Sequence, residues 1–172
     1  DWLFLSLKTQ LRKDKDATFK IVTRDSAQAL RTMAQKYEIE PSKLEILSSS
    51  PNDIAKNIAD IKAGLLYFTA GISKLGSAPT RLGEFLACGI PVIGNSGVGD
   101  MASLIERYQV GVVIEDGSQH AIDEALEKLD TLYQDKDLSQ RCRDAAEDYF
   151  SADKGAERYR QIYRNITSHE KR

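Results

Sequence analysis

Few residues in this 172-residue chain are of the kinds that build covalent or metal frameworks: it has 2 Cys, 2 His, 2 Met and 1 Trp. Cys88 and Cys142 lie far apart, with no second Cys or His at the short spacing that holds zinc, and secreted disulfide scaffolds need many more. A reducing, cytoplasmic setting and no bound metal are the expectations. Charge of one sign is also missing, since 24 Lys and Arg face 26 Asp and Glu and leave a net charge of −2. That balance sets up no field to gather a polyanion, so nucleic acid is not an expected partner. The longest apolar run, around Gly64 to Phe68, falls well short of the ~20 residues of a membrane-spanning helix. No basic, apolar and small-residue series opens the chain as a secretory leader would, and it begins at Asp1 without a methionine. From that start the chain reads as a piece of a longer protein. The glycosylation-type tripeptide Asn165-Ile166-Thr167 is of a kind frequent by chance. A P-loop, a Gly-x-Gly-x-x-Gly opening a strand-helix-strand unit and a Ser/His/Asp arrangement are all absent.

Hydrophobic residues make up 41% and charged residues 29%, a composition that folds, and the length suits one core and one domain over residues 1–172. Short segments rich in β-branched or aromatic residues predict strands at Thr18 to Thr23, Leu44 to Leu47, Leu65 to Thr69, Pro91 to Gly94 and Val110 to Ile114. Helical spacing falls between them, through Leu30, Met33, Ala34 and Tyr37 and through Ile54, Ile58 and Ile61. Ser50-Pro51-Asn52-Asp53 supplies starting residues for the second of these helices. Alternation of this kind predicts a Rossmann-like α/β fold, a parallel sheet with helices on both faces. From Ser118 onward only helices are predicted, over Ala121 to Tyr133, Leu138 to Phe150 and Asp153 to Asn165.

Ser77 to Asp100, SAPTRLGEFLACGIPVIGNSGVGD, carries the most chemistry. Pro79 presets a first helical turn, Leu82, Phe85 and Leu86 form a core-facing stripe, and Cys88-Gly89 ends the helix before the next strand. The helix therefore starts just past the carboxyl end of a strand, where open parallel sheets bind ligands and where amides of Thr80 and Arg81 suit a phosphate. Glu84 stands about 200° from Leu82 around the helix and faces away from the stripe. Two readings remain open from spacing alone: a ligand contact, or a surface ion pair between Arg81 and Glu84.

The run PTRLGEFLACGIPVIGNSGVGD resembles the donor-binding segment of nucleotide-sugar-dependent retaining glycosyltransferases of group 1, which have the two-domain GT-B architecture. It is most similar to bacterial members reading S-x-P-T-(K/R)-x-x-E-(Y/F)-L-A-x-G-x-P-V-I, and a weaker similarity runs through the chain to Tyr159 and Tyr163. The resemblance implies one half of a GT-B fold: the C-terminal, donor-binding domain with extra C-terminal helices, lacking an N-terminal acceptor domain. It implies a nucleotide-diphosphate sugar as donor, no further cofactor, no obligatory metal, retention of configuration and a role in bacterial surface-polysaccharide synthesis. Peripheral association with the inner face of the membrane would come through the absent domain. Glu84 matches the second glutamate of the family's Glu, seven residues, Glu pattern, which binds the donor ribose, while Gly76 stands where the first would be. Pro79 and Thr80 match positions whose backbone approaches the diphosphate, with Arg81 beside them. The resemblance also implies that the central strand of a 3-2-1-4-5-6 sheet precedes Asp1. The strands at Phe19 to Thr23 and Leu65 to Thr69 are then expected about 10 Å apart.

Lys74, in a loop expected from Gly71 to Gly76, is a further candidate for neutralising phosphate, and Asn95, Gly97 and Asp100 follow a strand and should border the same crevice. Their plainer readings are a solvated lysine and a turn whose Asp100 caps the next helix. Ser48 to Ser50 could flank a nucleobase, and His120 is expected in a solvated first turn. Fragment activity is not expected. The competing functions are a GT-B-shaped sugar-nucleotide epimerase and a non-catalytic α/β interaction or regulatory module.

Overall fold

The structure is a computed structural model that describes residues 1–69 and 71–169. Helix α1 (Trp2–Lys13) begins on Asp1, whose carboxylate accepts from the Leu3 amide, and buries Phe4 and Leu7. Strand β1 (Phe19–Val22), α2 (Ala27–Lys36), β2 (Leu44–Leu47), α3 (Ile54–Ile58) and β3 (Gly64–Leu66) follow. The site region contains α4 (Ile72–Leu75), α5 (Thr80–Ala87), β4 (Val92–Asn95) and α6 (Met101–Tyr108). Strand β5 (Gly111–Ile114) precedes α7 (Gln119–Leu132), α8 (Leu138–Phe150) and α9 (Ala152–His169).

Every ladder is parallel. β1 pairs with β2, Phe19 opposite Leu44 and Val22 opposite Leu47, while β4 lies between β3 and β5, with Gly64 opposite Val92 and Val92 opposite Gly111. All four residues of β4 are buried, as a strand covered on both faces requires. Leu82 and Leu86 of α5, Met101 and Ile105 of α6 and Cys142 of α8 pack with Leu66 and Val92 in one cluster. Ile122, Ala125 and Leu129 of α7 pack with Ile93, Val112 and Ile114 in a second, joined by Trp2 and Leu5 of α1. The α/β class with helices on both sides of parallel strands is thus observed.

The strands form two groups, β1-β2 and β3-β4-β5, and no ladder among the described residues joins β1 to β3. Helix α1 spans the two groups: Phe4 and Leu7 pack with Ala34 and Leu44, while Trp2 and Leu5 sit on the β4-β5 side. Leu65 of β3 touches both clusters. Polar bonds reinforce this helix, from Gln119 Nε2 to Thr9 Oγ1 (2.8 Å) and between the hydroxyls of Ser6 and Tyr67 (3.0 Å).

Three expectations are corrected. Strand β3 stops at Leu66 rather than Thr69, because the Asn95 side chain takes the strand-like bonds of Phe68: its Oδ1 accepts from the Phe68 amide (2.7 Å) and its Nδ2 donates to the Phe68 carbonyl (3.1 Å). Helix α3 ends at Ile58, leaving Ile61 outside, and the Ser50 hydroxyl bonds the Asp53 carboxylate (2.6 Å) instead of capping backbone amides. The segment expected as a loop between Gly71 and Gly76 contains the helical turn of α4.

Cys142 is fully buried, and burial pushes its thiol from the ordinary 9.0 to about 11. Because the folded state holds the neutral thiol, the unfolded chain loses its proton first. The resulting stabilisation is complete below pH 9 and fades as pH rises through about 11. The expected loss is on the order of 2 kcal/mol. Urea unfolding below pH 9 and near pH 11 should show it, with a shallower decline in Cys142→Ala.

Candidate functional site

The crevice is built on the carboxyl ends of β3 and β4. After β3 the chain turns through α4 into Ser77-Ala78-Pro79, and after β4 it turns through Gly97-Val98-Gly99 into α6. The two turns are stitched together, since the Gly99 amide donates to the Lys74 carbonyl (2.9 Å). Gly99, at a φ of 47°, lies so close to Ser77 that a Cβ on it would meet the Ser77 carbonyl oxygen at 1.8 Å. Only glycine fits both the space and the left-handed backbone there.

Helix α5 opens directly on this crevice. Pro79 occupies its N-cap position with a φ of −67°, and no side chain caps the helix. Pro79 has no hydroxyl or carboxylate to offer the first amides, so the end that carries the partial positive charge stays available to an anion. At the other end, Gly89 and Ile90 donate to the carbonyls of Leu86 and Phe85 (2.8 and 3.0 Å), the closing pair of a Schellman motif.

Glu84 is half-buried on the outer side of α5, and its carboxylate makes neither a hydrogen bond nor an ion pair with any described residue. The Arg81-Glu84 pair, one of the two readings of the spacing, is not formed; Arg81 is exposed. Glu84 lines a groove of about 520 Å³ between α5 and α8, together with Thr80, Gly83, Arg143, Glu147 and Phe150. Its charge is felt locally: burial raises the Cys88 thiol above its ordinary range, Arg143 opposes that and Glu84 adds to it. The Arg143 guanidinium is bound to the Cys88 carbonyl (3.2 Å) and to Ser139 Oγ (2.9 Å).

The expected site residues divide. Thr80 and Glu84 share the groove, and Pro79 joins it to the crevice turn. Lys74 lies on α4, half-buried, its ammonium 6.0 Å from the Phe68 ring centroid and without a described carboxylate partner. Gly97 is exposed on the facing turn, with open space around it. Asn95 is no crevice residue: it is 3% exposed, and its amide is occupied by Phe68 and by the Ser96 carbonyl (2.9 Å). Asp100 holds the N-cap position of α6 but does not cap it with its side chain; its carboxylate accepts from the Tyr149 hydroxyl. Ser49 and Ser50 are engaged with Asn57 and Asp53, and His120 is exposed in the first turn of α7 beside Glu124 (3.4 Å).

Sequence reasoning missed the α8 wall, which stands some sixty positions downstream. One signal was present in Gly83, a glycine inside a helix that costs stability unless something packs closely. A Cβ on Gly83 would come within 2.7 Å of the Phe150 ring.

The residues 3–149 match the family described as glycosyl transferases, group 1, and the chain belongs to that family. Its fold is similar to that of sucrose-phosphate synthase from Thermosynechococcus elongatus, at a TM-score of 0.67 and 15% identity, covering 96% of this chain and 42% of that one. It is similar to WaaG, a glycosyltransferase involved in lipopolysaccharide biosynthesis (TM-score 0.65, 24% identity, 84% of this chain and 37% of that one). It is also similar to the pneumococcal O-GlcNAc transferase GtfA (TM-score 0.69, 18% identity, 97% of this chain and 33% of that one). At these identities the likeness is one of fold. The chain spans between 33% and 42% of the length of these three proteins. No individual curated protein shows significant similarity to it.

Proposed function

We propose that this domain binds a nucleotide-diphosphate sugar and that, in a longer protein with a second domain for the acceptor, it serves sugar transfer with retention of configuration. The carrying observation is Glu84, a half-buried carboxylate with no hydrogen-bond or ion-pair partner among the described residues, one turn into an uncapped helix at the carboxyl ends of parallel strands. A carboxylate so placed accepts well from a pair of ribose hydroxyls, while the amides of Thr80 and Arg81 and the Lys74 ammonium suit the diphosphate. In the transfer the anomeric carbon leaves the diphosphate oxygen, which keeps the bonding pair. An acceptor hydroxyl bonds that carbon and passes its proton to the leaving diphosphate oxygen. Negative charge grows on the leaving diphosphate, and fixed dipoles and cations aimed there lower the barrier. Arg81, exposed beside the helix start, can turn toward it. The chemistry needs no further cofactor or metal in this reading.

Family membership supports the donor class, and the pneumococcal neighbour is described in complex with UDP and GlcNAc. The neighbour involved in lipopolysaccharide biosynthesis favours a role in bacterial polysaccharide synthesis; a cytoplasmic setting, at the inner face of the membrane, belongs to the same proposal. No helix among the described residues is long and apolar enough to cross a membrane. A second domain is supported by α9, whose residues 156–167 are all exposed and present Tyr159, Ile162, Tyr163 and Ile166 along one stripe, 54–67% exposed. A lone helix of this kind is marginal in water unless its apolar stripe is covered.

Calorimetric titration with UDP, GDP and ADP tests the reading. One of the three is expected to bind, and its parent nucleoside to bind at least roughly ten-fold more weakly for want of the diphosphate. A folded protein that binds none of them would contradict the proposal.

A further inference from the structure

Two consecutive aromatic residues end α8, and each touches a different wall of the site. Phe150 packs beneath Gly83 on α5, next to Glu84. The Tyr149 hydroxyl reaches the other wall and donates to Asp100 at the end of the Gly97–Asp100 turn. The two rings meet edge to face, with centroids 5.2 Å apart and planes at 70°. Behind them, the Arg158 guanidinium of α9 lies 5.6 Å from the Tyr149 ring centroid and donates to the Asp148 carbonyl (3.1 Å). Tyr108 of α6 donates to the Asp148 carboxylate (2.5 Å).

Asp100 forgoes a local contact to make this one. At an N-cap position its carboxylate would ordinarily accept from the first amides of its own helix, yet α6 has no side-chain cap. The carboxylate bonds instead across 49 positions of sequence to Tyr149, and that bond raises the Tyr149 hydroxyl above its ordinary range. The turn that Asp100 closes is the one whose Gly99 amide holds the Lys74 carbonyl (2.9 Å). One helix end therefore sets both walls: Phe150 locates α5 and Glu84, and Tyr149 locates, through Asp100 and Gly99, the α4 turn with Lys74.

We propose that Tyr149 is a positioning residue for the nucleotide site, holding the Gly97–Asp100 turn against α4 so that Lys74 and Glu84 are spaced for the two ends of one nucleoside diphosphate. This rests on the reading that Glu84 takes the ribose and Lys74 the diphosphate. In this reading Tyr149 acts through Asp100 and Gly99 and not by contact with the ligand.

Tyr149→Phe tests it, because the ring stays against Phe150 and Arg158 while only the hydroxyl is removed. Two measurements are needed. Hydrogen exchange of the Gly99 amide should quicken roughly ten-fold, with the amides of β4 unchanged. Affinity for whichever of UDP, GDP and ADP the native protein binds should fall roughly three- to ten-fold, while the unfolding midpoint moves by less than about 2 °C. Asp100→Ala should match these losses, and the double variant should be no worse than Asp100→Ala alone. Unchanged Gly99 exchange in Tyr149→Phe overturns the brace, whatever the ligand does. Faster exchange with unchanged affinity overturns its positioning role. A native protein that binds no nucleoside diphosphate refutes the reading of the site and with it that role, and the Gly99 exchange then decides the brace separately.

Discussion

Replacing Gly99 by alanine is expected to destabilise the protein by about 3 kcal/mol, a fall in unfolding midpoint of about 6–12 °C for a chain of this size. Two costs add. The residue sits at a φ of 47°, and its Cβ would lie 1.8 Å from the Ser77 carbonyl oxygen, a backbone atom with no rotamer to escape into. The turns must separate, which stretches the bond from the Gly99 amide to the Lys74 carbonyl. Nucleotide affinity should fall with stability, since α4 and the start of α5 move with Ser77. Gly97→Ala is the control: its φ is 78° but nothing lies within 4 Å of its Cβ, so only the backbone cost of about 1 kcal/mol applies. Thermal unfolding of both variants would decide the point. Equal, small shifts would mean that the two turns are not in contact as described.

Local chemistry accounts for what was legible in the sequence. Strands announced themselves through β-branched runs such as Pro91-Val92-Ile93, and β4 lies within one residue of its expected place. Pro79 and Cys88-Gly89 marked both ends of α5 because a proline at the start and a glycine past the end leave a helix few alternatives. The arrangement of the site was less legible, since it depends on partners distant in sequence. Asn95 reads locally as a loop residue after a strand, yet it serves as a buried clamp on Phe68. Asp100 reads as a cap, yet Tyr149 from another helix claims it. Arg81 and Glu84 have the spacing of an ion pair, but pairs of this kind on a helix surface contribute only a few tenths of a kcal/mol. That is too little to hold two long side chains together against their entropy.

The central claim is that the Glu84 carboxylate takes the ribose of a nucleoside diphosphate. Glu84→Gln keeps the shape of the side chain and exchanges a charged acceptor for a neutral amide. Hydrogen bonds to a charged group are worth about 1.5–3 kcal/mol each, so nucleotide binding should weaken roughly ten-fold to a hundred-fold. Stability should change by less than about 0.5 kcal/mol, because no described group depends on this carboxylate for a hydrogen bond. The most direct measurement is a calorimetric cycle of native protein and Glu84→Gln against the ribonucleoside diphosphate that binds and its 2′-deoxy counterpart. Removing the hydroxyl should weaken binding to native protein clearly more than to Glu84→Gln, because the variant has already lost the contact. Equal losses in the two proteins would show that Glu84 does not touch the ribose and would contradict the account.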